Sequence, residues 1–406
     1  MARIAIVIDS AEGHVLPTLS FCRELLNRGH DVTYLVSYIG TDGPALTFSE
    51  TQQLIRSQGF TCLPFFEKEI RHGADAGSNQ LYLFGPLVRG IALDDTVARL
   101  KPDLFLTLTI FSAEALVLRF RYNTPVVLLR SHCTSLPRKQ LCREVVTNRL
   151  MDVADGLPEL MDLLVNANVP IKKLTDIADL ALEIPELILL PQEFASPDTN
   201  DDDSALYIGA ALLPTLFQPT QDRVACSSLS SKLIYCSLGS QAHLRPDISR
   251  RFFRMAIDEI GTRTDIELIV STGRGLDPQE LGPLPGNVWV TDWLSQPEVL
   301  KRADLMITHG GLGSVKECIA AAVPMIVVPM MRDQFSAAER VVHYGLGLRA
   351  DVETLNGSDL SKLINRITAN SSFKNSVREM SACFRRPIAE AAFRVIDGLT
   401  RGSARA

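Results

Sequence analysis

The residues best placed for chemistry lie in the run DLMITHGGLGSVKECIAAAVP, from Asp304 to Pro324. An apolar stretch ends at Thr308–His309. A turn carrying Gly310, Gly311 and Gly313 then leads into a helical pattern starting near Gly313–Ser314. A glycine turn between a strand end and a helix start leaves backbone N–H groups free and presents the positive end of the helix, which suits a phosphate or diphosphate. His309 and the Ser314 hydroxyl can add donors. Glu317, three residues beyond Ser314, projects from the same end of the helix. A carboxylate there can accept from vicinal ribose hydroxyls, which favours a ribonucleotide such as UDP over a deoxyribonucleotide such as dTDP. GxGxxG does not follow the first strand and GxxxxGK[ST] is absent, so dinucleotide and P-loop NTPase readings lose support.

A second centre lies near the start of the chain, in Gly13-His14-Val15-Leu16-Pro17. A histidine titrates near neutrality and suits general-base work. A lone loop histidine is also commonly a surface or capping residue.

The elements that must position these residues form two β/α series. Arg3–Asp9 reads as a buried parallel strand, Ser10–Gly13 as a loop, and Leu16–Leu26 as a helix closed at Gly29, before a second strand over Asp31–Val36. Residues 103–108 (DLFLTL), a helix through Ala113–Phe120 and 125–129 (PVVLL) repeat the pattern. Residues 65–100 and 131–190 break it, with mixed helical patterns that either shape a pocket or simply connect. Ser196–Ser204 is acidic and turn-rich, a solvated loop. Residues 214–231 are the linker candidate, rich in Pro, Ser, Thr and Gln. Strand patterns then recur at 232–239, 267–272, 287–293, 304–311 and 324–329, with a helix near 247–260 and a long amphipathic helix over about 372–399. Alternation of this kind implies parallel sheets with right-handed crossovers. The expected organisation is an N-terminal domain (1–213), a linker (214–231), a C-terminal domain (232–371) and a helical segment (372–406) crossing back to the first domain.

Composition agrees. A chain of 406 residues, 46% hydrophobic and 22% charged, suits two globular domains. A net charge of −6 and the lack of any basic run argue against nucleic acid. Eight scattered cysteines form no CxxC and no Cys/His ligand cluster, so buried reduced thiols are expected. The N-terminus is unlike a signal peptide, and no apolar segment reaches the roughly 20 residues that span a membrane. A cytoplasmic protein is expected.

The run WLSQPEVL (Trp293–Leu300), HGGLGSVKE (His309–Glu317), Pro324, Pro329 and Asp333-Gln334 resembles the nucleotide-sugar signature of the family-1 UDP-glycosyltransferases, inverting enzymes of the GT-B fold. Weaker resemblance covers the whole chain, and GHVLP matches the GHxxP that carries the catalytic histidine in many members. The resemblance implies an α/β fold of two Rossmann-like β/α/β domains facing across a cleft. It implies His14 as general base, Trp293 stacked on uracil and Gln296 beside base and ribose. Glu317 would lie on the ribose, with His309, Ser314, Gly311 and Gly313 at the diphosphate, and Asp333 and Gln334 on the sugar, where the pair often accompanies glucose. Ser240 looks like another phosphate contact. Set against these roles, Trp293 can be core, Glu317 an exposed helix carboxylate, Asp333 a helix N-cap and Ser240 a turn former. Gly313 stands where plant members commonly have Asn, and Ala322 where they have Gly.

Many relatives place an aspartate after the strand corresponding to DLFLTL, where it orients the histidine. Here that position falls near Leu108, with no Asp until Asp152. Asp9, otherwise a turn residue, and Glu114, otherwise a solvated helix carboxylate, are the substitutes. The reading is transfer of a hexose, glucose from UDP-glucose foremost, to a hydroxyl of an apolar small molecule. The donor is a substrate, and no cofactor is called for. No metal is required either: fixed donors can hold the leaving diphosphate, and no DxD-like pair stands at a strand end. A glycosyltransferase-like binding or helper protein that has lost catalysis is the alternative. A sugar-nucleotide epimerase is a third reading, weakened by the spaced Trp/Gln/Glu signature.

Overall fold

The computed structural model describes residues 1–40, 48–69, 87–89, 93–152, 157–196, 205–212, 231–331 and 333–403. Most of the linker candidate and of the acidic loop, including Asp201–Asp203, lies outside the described residues.

Among the described residues, two all-parallel sheets carry the fold. The first has seven strands in the order β3-β2-β1-β4-β5-β6-β7: β1 Arg3–Asp9, β2 Asp31–Gly40, β3 Thr61–Glu69, β4 Leu104–Leu108, β5 Val126–Arg130, β6 Glu186–Ile188 and β7 Ala205–Tyr207. The second has six in the order β10-β9-β8-β11-β12-β13: β8 Lys232–Ser237, β9 Ile266–Ser271, β10 Val288–Thr291, β11 Leu305–Thr308, β12 Met325–Val327 and β13 Gly347–Arg349. Sheets covered by helices on both faces need strands apolar on both sides. Accordingly β4, β5, β9 and β11 are buried at every position. In each sheet the strand order reverses between the first strand and its neighbour, β1/β4 and β8/β11. Ligands of doubly wound sheets bind outside the carboxyl ends of strands at such a switch point. His14 follows β1 and the glycine turn follows β11.

Several expected elements move. The first helix runs Glu12–Asn27. His14 therefore sits in a helical first turn, not a loop, and Gly29 closes the end with φ +84°. β3 was hidden by Pro64, which is tolerated because β3 is an edge strand. The long C-terminal helix is two helices, Ser371–Phe384 and Glu390–Ser403. Only the second crosses back: Ala392, Phe393 and Ile396 enter the core of the first sheet. Ser371–Phe384 stays on the second domain, where Ser381 and Arg385 both donate to the carbonyl of Ala320. The expected boundary at 371/372 therefore belongs near Arg385–Ala389.

The halves are joined by a shared apolar cluster. Phe194 packs edge-on against Phe384 at 5.4 Å, and Ile188 and Leu190 lie in one cluster with Val315 and Ile319.

Candidate active site

His14 Nδ1 lies 2.7 Å from Asp9 Oδ1. The same Asp9 oxygen accepts from the Ala11 backbone N–H at 3.2 Å, which fixes the turn between β1 and the helix. A carboxylate only accepts, so Nδ1 carries the proton and Nε2 is left as the basic nitrogen. Phe111, in the single turn Thr109–Phe111 after β4, packs edge-on against the imidazole with ring centroids 5.9 Å apart. An aromatic ring thus stands near the place where an aspartate was sought, and the carboxylate comes from β1. Glu114 is not a solvated carboxylate: it is buried in the helix Ser112–Tyr122.

The opposite wall is the turn after β11 and the helix Leu312–Ala321, whose N-cap is Gly311. His309 is clamped there. A Cβ on Gly239 would fall 2.4 Å from His309 Cε1, and one on Gly311 would fall 2.4 Å from Nε2. Burial lowers the His309 imidazole to about 4, against a hydrogen bond to the Ser237 backbone, so the ring is neutral at pH 7. Gly310 has φ +86°, and a Cβ there would meet Val327 Cγ1 at 2.6 Å and the Gln334 carbonyl at 3.2 Å. A Cβ on Gly313 would meet nothing within 4 Å outside its own helix. Gly310→Ala is therefore expected to destabilise the protein by about 2 kcal/mol or more, whereas Gly313→Ala is expected to be neutral or stabilising by up to about 1 kcal/mol. Urea denaturation of the two variants checks the contrast.

Gln296, at the first position of the helix Gln296–Leu300, ties the wall together. Its amide donates to Glu317 Oε2 at 2.6 Å and to Ser314 Oγ at 3.2 Å. Burial raises the Glu317 carboxyl to about 7, despite the Gln296 hydrogen bond and Lys316; Glu12 across the cleft adds to the rise. Glu317 is thus not an exposed helix carboxylate. Glu12 shares the first turn of the His14 helix, so the two walls face each other.

Trp293 is 42% exposed and belongs to none of the apolar clusters, so it is not core. Asp333 occupies the N-cap position of the helix Gln334–His343 but its side chain makes no capping hydrogen bond. It faces Cys133 across the cleft, within electrostatic reach of that thiol. The Gln334 side-chain Oε1 accepts from the Met330 and Met331 backbone N–H groups at 2.8 and 3.0 Å, which pins the pair against the end of β12. Ser240 is exposed in the turn after β8.

Two cleft residues had no sequence signal. His132, just past β5, is within electrostatic reach of His14, Arg130, Glu186 and Arg340; burial lowers it to about 4. Arg274, after β9, lies over Trp293. Neither falls in a spaced motif. Only the sheet order, which puts β5 and β9 beside the switch strands, could have pointed to them.

Residues 213–395 match the family model described as UDP-glucoronosyl and UDP-glucosyl transferase. In fold and over this matched segment the chain is similar to glycosyltransferases of the GT-B fold, like the family-1 enzymes. The chain is 26% identical over 386 residues to the NDP-glycosyltransferase YjiC of Bacillus subtilis (strain 168), covering 93% of this chain and 92% of that one. It is 29% identical over 357 residues to the oleandomycin glycosyltransferase of Streptomyces antibioticus, covering 87% and 80%. The crystal structure of CalG4, the calicheamicin glycosyltransferase, superposes with a TM-score of 0.71 at 25% identity, covering 95% of this chain and 94% of that one. Among the described residues no helix is long and apolar enough to cross a membrane.

Proposed function

We propose that the chain transfers a hexose, glucose foremost, from a uridine diphosphate sugar to a hydroxyl of an apolar small molecule, with inversion at the anomeric carbon. The observation that carries the reading is the pairing of two walls. One is a glycine turn and helix N-terminus with Glu317, Gln296 and Ser314 clustered on it. The other holds a histidine polarised by a carboxylate. In this scheme the acceptor hydroxyl gives its proton to His14 Nε2 as its oxygen bonds to the anomeric carbon. The bond from that carbon to the diphosphate oxygen breaks, and its electron pair leaves on UDP. The helix end, Ser314 and neutral His309 meet the leaving charge, so no metal enters the scheme. Trp293 stacks on the base, and Asp333 and Gln334 take the sugar hydroxyls. Relatives that glycosylate named natural products, oleandomycin and calicheamicin, support an acceptor of that kind. The lack of an aspartate after β4 favoured a protein without catalysis; Asp9 beside His14 favours the enzyme.

The donor assignment rests on Glu317 and is tested by ligand-induced stabilisation, since a ligand bound only by the folded state raises the melting temperature. UDP-glucose is expected to give a larger shift than dTDP-glucose, which lacks the ribose 2′-hydroxyl; the reverse order overturns the uridine assignment. The acid form of Glu317 predominates below about pH 7. UDP-glucose, whose doubly esterified diphosphate does not titrate in this range, is therefore expected to bind with constant affinity above that pH and up to about tenfold more weakly per unit below it. Glu317→Gln should abolish the dependence, as measured by titration calorimetry.

A further inference from the structure

Arg274 is a close partner of the Trp293 ring, of opposite character. The Arg274 guanidinium carbon lies 4.6 Å from the ring centroid. The Trp293 backbone is fixed by Asp292 Oδ1 at 2.8 Å and by Thr291 Oγ1 at 3.2 Å, while among the described residues no apolar cluster includes the indole. Arg274 is placed by its own turn. Gly273 has φ +80°, and a Cβ there would fall 2.9 Å from the Gly239 carbonyl, so the turns after β8 and β9 are in close backbone contact. The guanidinium then leaves the second domain: Nη1 lies 3.7 Å from Glu50 Oε1, on the helix Phe48–Ser57 of the first domain. Next to Glu50, the fully buried Thr51 donates to the Ser10 carbonyl at 3.2 Å. Ser10 follows Asp9, whose carboxylate holds His14. Trp293, Arg274, Glu50–Thr51, Ser10–Asp9 and His14 therefore form one run of contacts across the cleft.

We propose that Arg274 is a positioning residue that sets the nucleotide-base platform in register with the catalytic histidine. It backs one face of the Trp293 ring, leaves the other for the base, and is tethered through Glu50 to the turn that carries Asp9 and His14. The inference rests on the donor site proposed above. An arginine suits both halves, because its planar guanidinium stacks on an aromatic face while its edge pairs with a carboxylate. A half-exposed ion pair adds little to stability, so loss of the tether is read in function and not in folding.

The test uses Arg274→Ala, Glu50→Gln and the charge exchange Arg274→Glu with Glu50→Arg. UDP is the probe for affinity, and UDP release from UDP-glucose with a phenolic acceptor is the turnover readout. Arg274→Ala is expected to weaken UDP binding about 3- to 10-fold and to lower kcat as well. Glu50→Gln should leave UDP affinity unchanged and lower kcat alone. The exchange should recover kcat relative to either single variant but not UDP affinity, because no cation then backs the indole. Unchanged Kd and kcat in Arg274→Ala would overturn the proposal, as would an exchange no better than the single variants. Trp293→Ala separates the two levels. If the wild type binds UDP and Trp293→Ala binds it equally well, the base platform is wrong, and the role of Arg274 falls with it.

Discussion

Alanine at His14 is expected to lower kcat by about 10²- to 10⁴-fold, the range over which a positioned general base contributes, with UDP affinity unchanged. The donor contacts proposed above all lie on the second domain, so the loss is expected in the chemical step. The Asp9 hydrogen bond sharpens the test. Asp9→Ala leaves the imidazole free to choose its tautomer and should cost less than removing the ring. Asp9→Asn can present its amide N–H to Nδ1, forcing the proton onto Nε2 and removing the base from the face where it is needed. Its loss should approach that of His14→Ala. Turnover of the three variants against one acceptor gives the ranking; an Asp9→Asn enzyme at wild-type rate would remove Asp9 from the mechanism.

The second large effect concerns stability. Glu186, on β6 and 1% exposed, pairs with Arg130 and Arg138, each 3% exposed, and accepts from Thr109 Oγ1. Arg138 Nη2 also donates to the Ile184 carbonyl at 2.7 Å. Burial by itself would raise the Glu186 carboxyl. The two guanidinium groups and the Thr109 hydroxyl outweigh it and hold the carboxyl below its usual range. Glu186→Ala leaves two cations in a dry site, so a loss of about 3–5 kcal/mol is expected in urea unfolding. Replacing all three charged residues by apolar ones of similar size should cost far less, because it is the orphaned charge that is expensive. The sign of the pH dependence follows. A carboxyl lowered on folding contributes fully above its unfolded value and loses that contribution as pH falls through the folded one. The triad therefore weakens only in acid.

What could be seen in advance follows the physics of each signal. β1, β4, β5, β8, β9 and β11 announced themselves because strands buried on both faces must be apolar throughout. β6, β7, β12 and β13 are three residues long, too short for a period; β12, inside PMIVVP, and β6, running on into LILL, had apolar runs around them, and only the first was read as a strand. The donor wall was legible because Trp293, Gln296, His309, Glu317 and Asp333 fall within one span of chain. The partner of His14 was left between Asp9 and Glu114, since its choice depends on how the turn after β1 closes. His132 and Arg274 become cleft residues only when distant strands are set side by side, and Glu186 is seen as the centre of a charged triad only when β6 is placed beside β5.

The return of the last helix has a practical consequence for building hybrid enzymes. Residues Glu390–Ser403 are covalently part of the second half but pack as part of the first, with Arg28 stacked on Phe393 at 3.6 Å and paired with Glu390. Just before them, the Ala389 N–H donates to the Ile208 carbonyl at 2.9 Å. Grafting a foreign first half onto this second half therefore takes two splices. One belongs in residues 213–230 and the other in 385–389, so that the terminal helix travels with the sheet it covers. A single-junction chimera would leave a foreign surface facing Phe393 and Ile396, and would report on that mismatch before it reported on specificity.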